Sequence, residues 1–202
     1  MSEETMSFLA RSLYTAEQYL ESERQADYKS EFINGRIYAM SGANRIHNQI
    51  KFNIAGLLHS QIRGRLCEAY IADMRVKISS TGMYAYPDIA ALCGESHFED
   101  THLDTLINPT LIIEVLSPST EAYDRGGKFS HYRKIRSLTE YVLVAQDRCS
   151  VERFIRQNNQ WIFSEATNLT DVVHLHSIQC DLLLGDIYDK VIFLSNIEDE
   201  TG

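Results

Sequence analysis

Two carboxylates stand where carboxylates are costly. Asp88 follows Pro87 at the head of the apolar run Ile89–Cys93, and Glu114 interrupts Leu111-Ile112-Ile113-Glu114-Val115-Leu116. An ionised carboxylate inside a buried strand needs a basic side chain, a proton or a metal ion beside it. If the two runs are neighbouring strands, both acids reach one point. Two such charges about 4 Å apart repel by about 4 kcal/mol at an effective dielectric of about 20. A divalent cation cancels that repulsion. One or two carboxylates, with water and a substrate phosphate completing the shell, suit Mg²⁺. The competing reading is structural, with Asp88 as a strand-entry turn residue and Glu114 paired with a nearby arginine.

The elements that would position these acids follow from periodicity and turn chemistry. Thr15 and Gln18 fit a capping box for a helix over 15–26. Asn34-Gly35 between Phe32-Ile33 and Ile37–Met40 predicts a hairpin. Residues 43–65 carry Ile46, Ile50, Ile54, Leu57, Leu58 and Ile62 at helical spacing. Residues 70–79 alternate, with Ala72, Met74, Val76 and Ile78 against Asp73, Arg75 and Lys77, as in one half-buried strand. Apolar runs over 86–93, 110–116 and 141–145 read as central strands. A helix is expected over 125–136 with Phe129, Tyr132 and Ile135 inward, and two strands flank Asn158-Asn159. The order predicts a mixed α/β sandwich.

Composition bounds the class. The chain has 202 residues, 44% hydrophobic and 23% charged, which is ordinary globular usage for about one domain. The longest uninterrupted apolar runs have five residues, against about 20 for a membrane span. The acidic start Met1-Ser2-Glu3-Glu4 does not read as a signal peptide. The net charge is −9, yet two stretches are basic. Segment 43–65 holds Arg45, Lys51, Arg63 and Arg65 with no acid, and segment 124–136 holds five basic residues against Asp124. Taken alone, these are two solvated helix faces. Cys67, Cys93, Cys149 and Cys180 have no zinc-site spacing, so four reduced thiols in a cytoplasmic protein are expected.

The ordered set Pro87-Asp88, Glu114-Val115-Leu116, Ser117-Pro118-Ser119-Thr120 and Asp124-Arg125-Gly126-Gly127-Lys128 resembles the PD-(D/E)xK nuclease superfamily. More closely, it resembles that superfamily's bacterial family of restriction-endonuclease-like proteins, long catalogued as a domain of unknown function. The resemblance runs from about Thr15 to about Phe193 and includes Tyr28, Glu31, Asn34-Gly35, Asp73–Val76 and Leu138–Gln146. It implies a restriction-endonuclease-like core, a central mixed β-sheet flanked by helices, preceded by an N-terminal helix and hairpin. That domain would cover 15–193, with an extension over 1–14 and an acidic tail over 194–202.

The same resemblance implies DNA phosphodiester hydrolysis with Mg²⁺ or Mn²⁺ held by Asp88 and Glu114. Leu116 stands where the superfamily usually has its lysine, and Lys128 on the following helix would substitute. Glu31 matches an acidic position near the first metal. Arg45 and Lys51, with Arg125 and Tyr132, would contact substrate, and phosphate contacts of that kind need not read sequence. Family members often pair, which implies a homodimer spanning a duplex. The rival readings are a nucleic-acid-binding or protein-assembly module with a decayed site, motivated by Leu116 and the acidic charge, and a nuclease acting on RNA.

Overall fold

The computed structural model describes residues 13–193. The expected tail over 194–202, and all of the extension except Leu13 and Tyr14, lie outside the described residues.

Helix α1 (Ala16–Glu23) starts at the Thr15–Gln18 capping box. Strands β1 (Ser30–Ile33) and β2 (Arg36–Ala39) then form the expected hairpin. Asn34 and Gly35 both take positive φ (50° and 77°), which a two-residue turn of this hand requires. Helix α2 (Arg45–Ile62) is capped by Asn44, whose side chain accepts the His47 N–H at 2.9 Å. Its Ile50, Ile54 and Leu58 recur one turn apart and are fully buried, each contributing about 1.5–3 kcal/mol of apolar burial.

The strands that follow are β3 (Cys67–Ile71), β4 (Arg75–Ile78), β5 (Met83–Ala85), β6 (Ile89–Cys93), β7 (Thr105–Leu106) and β8 (Leu111–Leu116). A turn of π-helix (Tyr123–Lys128) runs into α3 (Phe129–Tyr132). The chain ends with β9 (Glu140–Ala145), β10 (Val151–Gln157), β11 (Gln160–Ala166), β12 (Val172–Leu175), β13 (Cys180–Leu183) and α4 (Leu184–Ile187).

One sheet has the order β11-β10-β9-β8-β6-β3, a second has β2-β1-β5-β4-β7, and β12-β13 form a third. The six-stranded sheet is mixed, because β8 and β9 run parallel while its other pairs are antiparallel. Side chains alternate across it. Leu111, Ile113 and Val115 face α2, α4 and the small sheet in one apolar cluster. Ile112 and Leu116 face the five-stranded sheet and Tyr132 in another. Glu114 belongs by alternation to this second face.

The structure corrects four expectations. The single strand over 70–79 is two strands in different sheets, because Ala72 bends the chain with φ 60°. Arg75 is buried rather than solvated; it pairs with Asp104 and donates to Thr105 Oγ1 and the Tyr86 hydroxyl. The helix over 125–136 begins earlier and widens into a π turn across Gly126-Gly127. These glycines are weak helix formers, and the Tyr141 hydroxyl donates into the turn at the Asp124 carbonyl (3.0 Å). The four thiols are not all reduced: Cys67 and Cys93 form a disulfide. The β3–β6 register sets the two residues directly opposite each other, although 26 positions separate them in sequence. Cys149 and Cys180 are free. Thiol titration of the denatured, unreduced protein should therefore count two free groups, and a count of four would contradict the cross-strand bond.

Candidate metal and phosphodiester site

The antiparallel β6–β8 register pairs Ile89 with Ile113, which brings Asp88 and Glu114 side by side. Their contacts interlock. The Asp88 N–H donates to Glu114 Oε2 at 3.1 Å, and Asp88 Oδ2 accepts the Val115 N–H at 2.8 Å. Lys128 reaches the same face from the π turn. Its Nζ lies 3.1 Å from Glu114 Oε1, 3.1 Å from Glu31 Oε1 and 3.3 Å from Asp124 Oδ1. Glu31 comes from β1 in the other sheet, so the ammonium bridges both sheets. Leu116, two residues beyond Glu114, packs in the apolar cluster of that face.

Asp88 is served from α2. His47 Nε2 is 3.1 Å from Asp88 Oδ2, and Lys51 Nζ is 3.4 Å from Oδ1. The two are four residues apart and so share one helix face. These groups line a cleft of about 910 Å³.

Asp88, Glu114, Lys128, Glu31 and Lys51 thus converge. The other three candidates do not reach the cleft as substrate contacts. Arg125 is engaged by Glu121 (2.8 Å) and Glu152, away from the cleft. Tyr132 is fully buried and donates to Glu114 Oε1 at 3.1 Å, so it orients that carboxylate. Arg45 is exposed in the first turn of α2, outside the cleft lining. His131 bonds Thr81, on another side. Sequence reasoning missed His47 and Asp124. The available signal was helical spacing, since His47 precedes Lys51 by four residues and Asp124 precedes Lys128 by four.

Gly127 lets the π turn close. A Cβ there would stand 2.5 Å from the Tyr123 ring, which lies under the Lys128 ammonium at 5.9 Å.

A mixed sheet carrying adjacent acids on neighbouring strands, with a lysine from the next helical turn, has the architecture of the restriction-endonuclease-like fold. A crystal structure described as "a putative nuclease belonging to DUF820" from Anabaena variabilis shares that fold, with a TM-score of 0.73 and 19% identity over 88% of this chain and 99% of that one. Residues 16–184 match the family model described as "Uma2: Putative restriction endonuclease", and the chain belongs to that family. Two proteins of Synechocystis sp. (strain ATCC 27184 / PCC 6803 / Kazusa), each described as uncharacterized, are relatives. The protein sll1609 is 40% identical over 154 residues, covering 76% of this chain and 87% of its own length. The protein slr1290 is 33% identical over 178 residues, covering 88% and 92%. Among the described residues, no helix is long and apolar enough to cross a membrane.

The charges of the site are not in balance. Burial raises the Glu114 carboxyl, the Lys128 ammonium opposes this, and Asp124, Asp88 and Glu31 add repulsion; the result is pushed up to about 8. Burial disfavours the Lys128 ammonium, but Glu114 and the other carboxylates outweigh it and hold its pKa well above the usual amine range. Burial likewise raises Asp88, yet the His47 and Lys51 side chains and the Val115 N–H bring it below the ordinary value.

Because the folded-state value of Glu114 lies above its ordinary 4.5, its contribution to stability is complete below pH 4.5 and lost as pH rises through about 8. In EDTA, the melting temperature should fall between pH 5 and 8.5 by about 5 °C more in the native chain than in Glu114→Gln. Superimposable pH profiles would contradict this placement of charge.

Proposed function

We propose that the chain is a divalent-metal-dependent phosphodiesterase acting on DNA, with Asp88 and Glu114 as the ligands of Mg²⁺ or Mn²⁺. The observation that carries this reading is the meeting of Asp88, Glu114, Glu31, Asp124 and Lys128 in one cleft.

The donor set fits such an ion. Four carboxylates (Glu31, Asp88, Glu114, Asp124) face two ammoniums at this point (Lys51, Lys128). When all are ionised, the two excess negative charges are what one divalent cation offsets. Among the described residues, no three acid, imidazole or thiol groups stand together as a set that could hold a metal ion, so the protein would supply two ligands. A two-carboxylate site suits an ion that keeps waters and takes up a substrate phosphate.

A metal-free reading draws on the same lysine, whose ammonium contacts three of the acids. It accounts for less, because the Glu114 carboxyl is still pushed upward although the Lys128 ammonium lies 3.1 Å away. The lysine alone does not satisfy the cluster.

When bound, a divalent cation supplies Lewis acidity toward a phosphoryl oxygen and lowers the pKa of water. The residues of the chain do the rest. Val115 N–H and His47 hold the Asp88 carboxylate in place, and Tyr132 and the Asp88 N–H hold that of Glu114. Lys128 keeps its positive charge and presents it to the cleft, where negative charge grows on a phosphoryl group under attack. Its place on the π turn substitutes for a lysine at position 116. His47 contacts Asp88 through Nε2 and so helps orient the acid.

Purified protein should nick supercoiled plasmid, whose torsional strain locally unpairs bases, in Mn²⁺ or Mg²⁺ and not in EDTA. Asp88→Ala and Glu114→Gln should lower the rate at least about 100-fold, and Lys128→Met by a similar factor. Circular dichroism would check that each variant is folded. Equal nicking by native and variant proteins would contradict the assignment.

A further inference from the structure

The mouth of the cleft carries two side chains that phosphodiester chemistry does not require. Tyr28 and Tyr38 line it, and they are 66% and 48% exposed. Tyr38 lies directly opposite Glu31 in the β1–β2 pair. Cross-strand partners project to one sheet face, so its ring stands on the side where Glu31 meets Lys128. Tyr28 lies just ahead of β1, and the neighbouring Lys29 carbonyl accepts the Met40 N–H at 2.9 Å. The two tyrosines therefore flank the site from segments that are tied together.

The cleft holds little uncommitted positive charge. Proteins bind duplexes largely by setting several uncommitted Lys and Arg side chains against phosphates. Among the described residues, the cleft is lined by three lysines and no arginine. Lys51 is engaged by Asp88 and Lys128 by three carboxylates, while Lys29 meets Asp73 in a solvent-exposed pair. Tyrosine rings stack on the flat faces of bases, which adds affinity per base to what the lysines supply. Inside a duplex those faces are covered by neighbouring base pairs; in a single strand they are open.

We infer that Tyr28 and Tyr38 stack unpaired bases, and that single-stranded DNA, rather than intact duplex, is the substrate class of this cleft. The substrate half of this inference rests on the phosphodiesterase reading; the stacking half does not.

A 20-nucleotide single strand containing 2-aminopurine, titrated with the full chain in Ca²⁺, separates the two. Stacking on tyrosine should quench the 2-aminopurine emission. Tyr28→Ala and Tyr38→Ala should each weaken binding about tenfold and reduce the quenching, while the Phe variants keep both. The same sequence as a blunt duplex should bind at least about tenfold more weakly. Affinity and quenching unchanged in both Ala variants, or equal affinity for the duplex, would overturn the inference. Cleavage in Mn²⁺ provides the second arm. Faster cutting of the single strand supports the substrate assignment, and equal or faster cutting of linear duplex overturns it. Cutting of neither form, with quenching intact, would overturn the phosphodiesterase reading and with it the substrate half, while upholding the stacking of unpaired DNA.

Discussion

The ammonium of Lys128 sits among three carboxylates drawn from three separated parts of the chain, and it is almost fully removed from solvent. Taking charges out of water costs several kcal/mol per ion, so such a cluster is a poor source of stability. Its value is positional. Glu31 belongs to the five-stranded sheet, Glu114 to the six-stranded sheet, and Lys128 to the π turn that follows β8. One side chain therefore registers both sheets and the helical turn at a single point. The apolar clusters on the two faces of the large sheet supply the stability that such an arrangement needs. Asp88 completes the constellation from the head of β6, held by backbone on one side and by α2 on the other.

Much of this was legible where a local rule and the global fold agree. Asn34-Gly35 specifies its turn through φ alone, and the six apolar residues of 43–65 specify a helix with one buried face. Glu114 declared itself by violating the pattern of its own strand. What was hidden depends on contacts across the fold. The Cys67–Cys93 bond exists because β3 and β6 are in register, which no spacing reveals. Arg75 alternates in sequence as a surface residue would, yet Asp104, Thr105 and Tyr86 make its burial tolerable. Arg125 looked available for phosphate because one of its two partners, Glu152, lies 27 residues away. Tyr132 was inward as periodicity demanded, and its hydroxyl donates to Glu114.

The family assignment rests on a match across most of the chain, and the solved structure from Anabaena variabilis agrees on the fold. On the proposed reading, the departure at Leu116 has a physical resolution. The strand position is occupied by an apolar side chain that fills the cluster between sheets, and the positive charge arrives from the π turn. That turn offers room for Tyr123 over Gly127 and sets Asp124 one turn before Lys128. Widened turns of this kind are over-represented at functional sites, where they re-aim a side chain at a small stability cost.

A crystal soaked in Mn²⁺ and measured at the metal's absorption edge tests the central claim most directly. The account predicts one anomalous peak, about 2 Å from a carboxylate oxygen of Asp88 and from one of Glu114, with the Lys128 ammonium still alongside. A cleft with no peak at millimolar Mn²⁺, with Lys128 unmoved among its carboxylates, would contradict it.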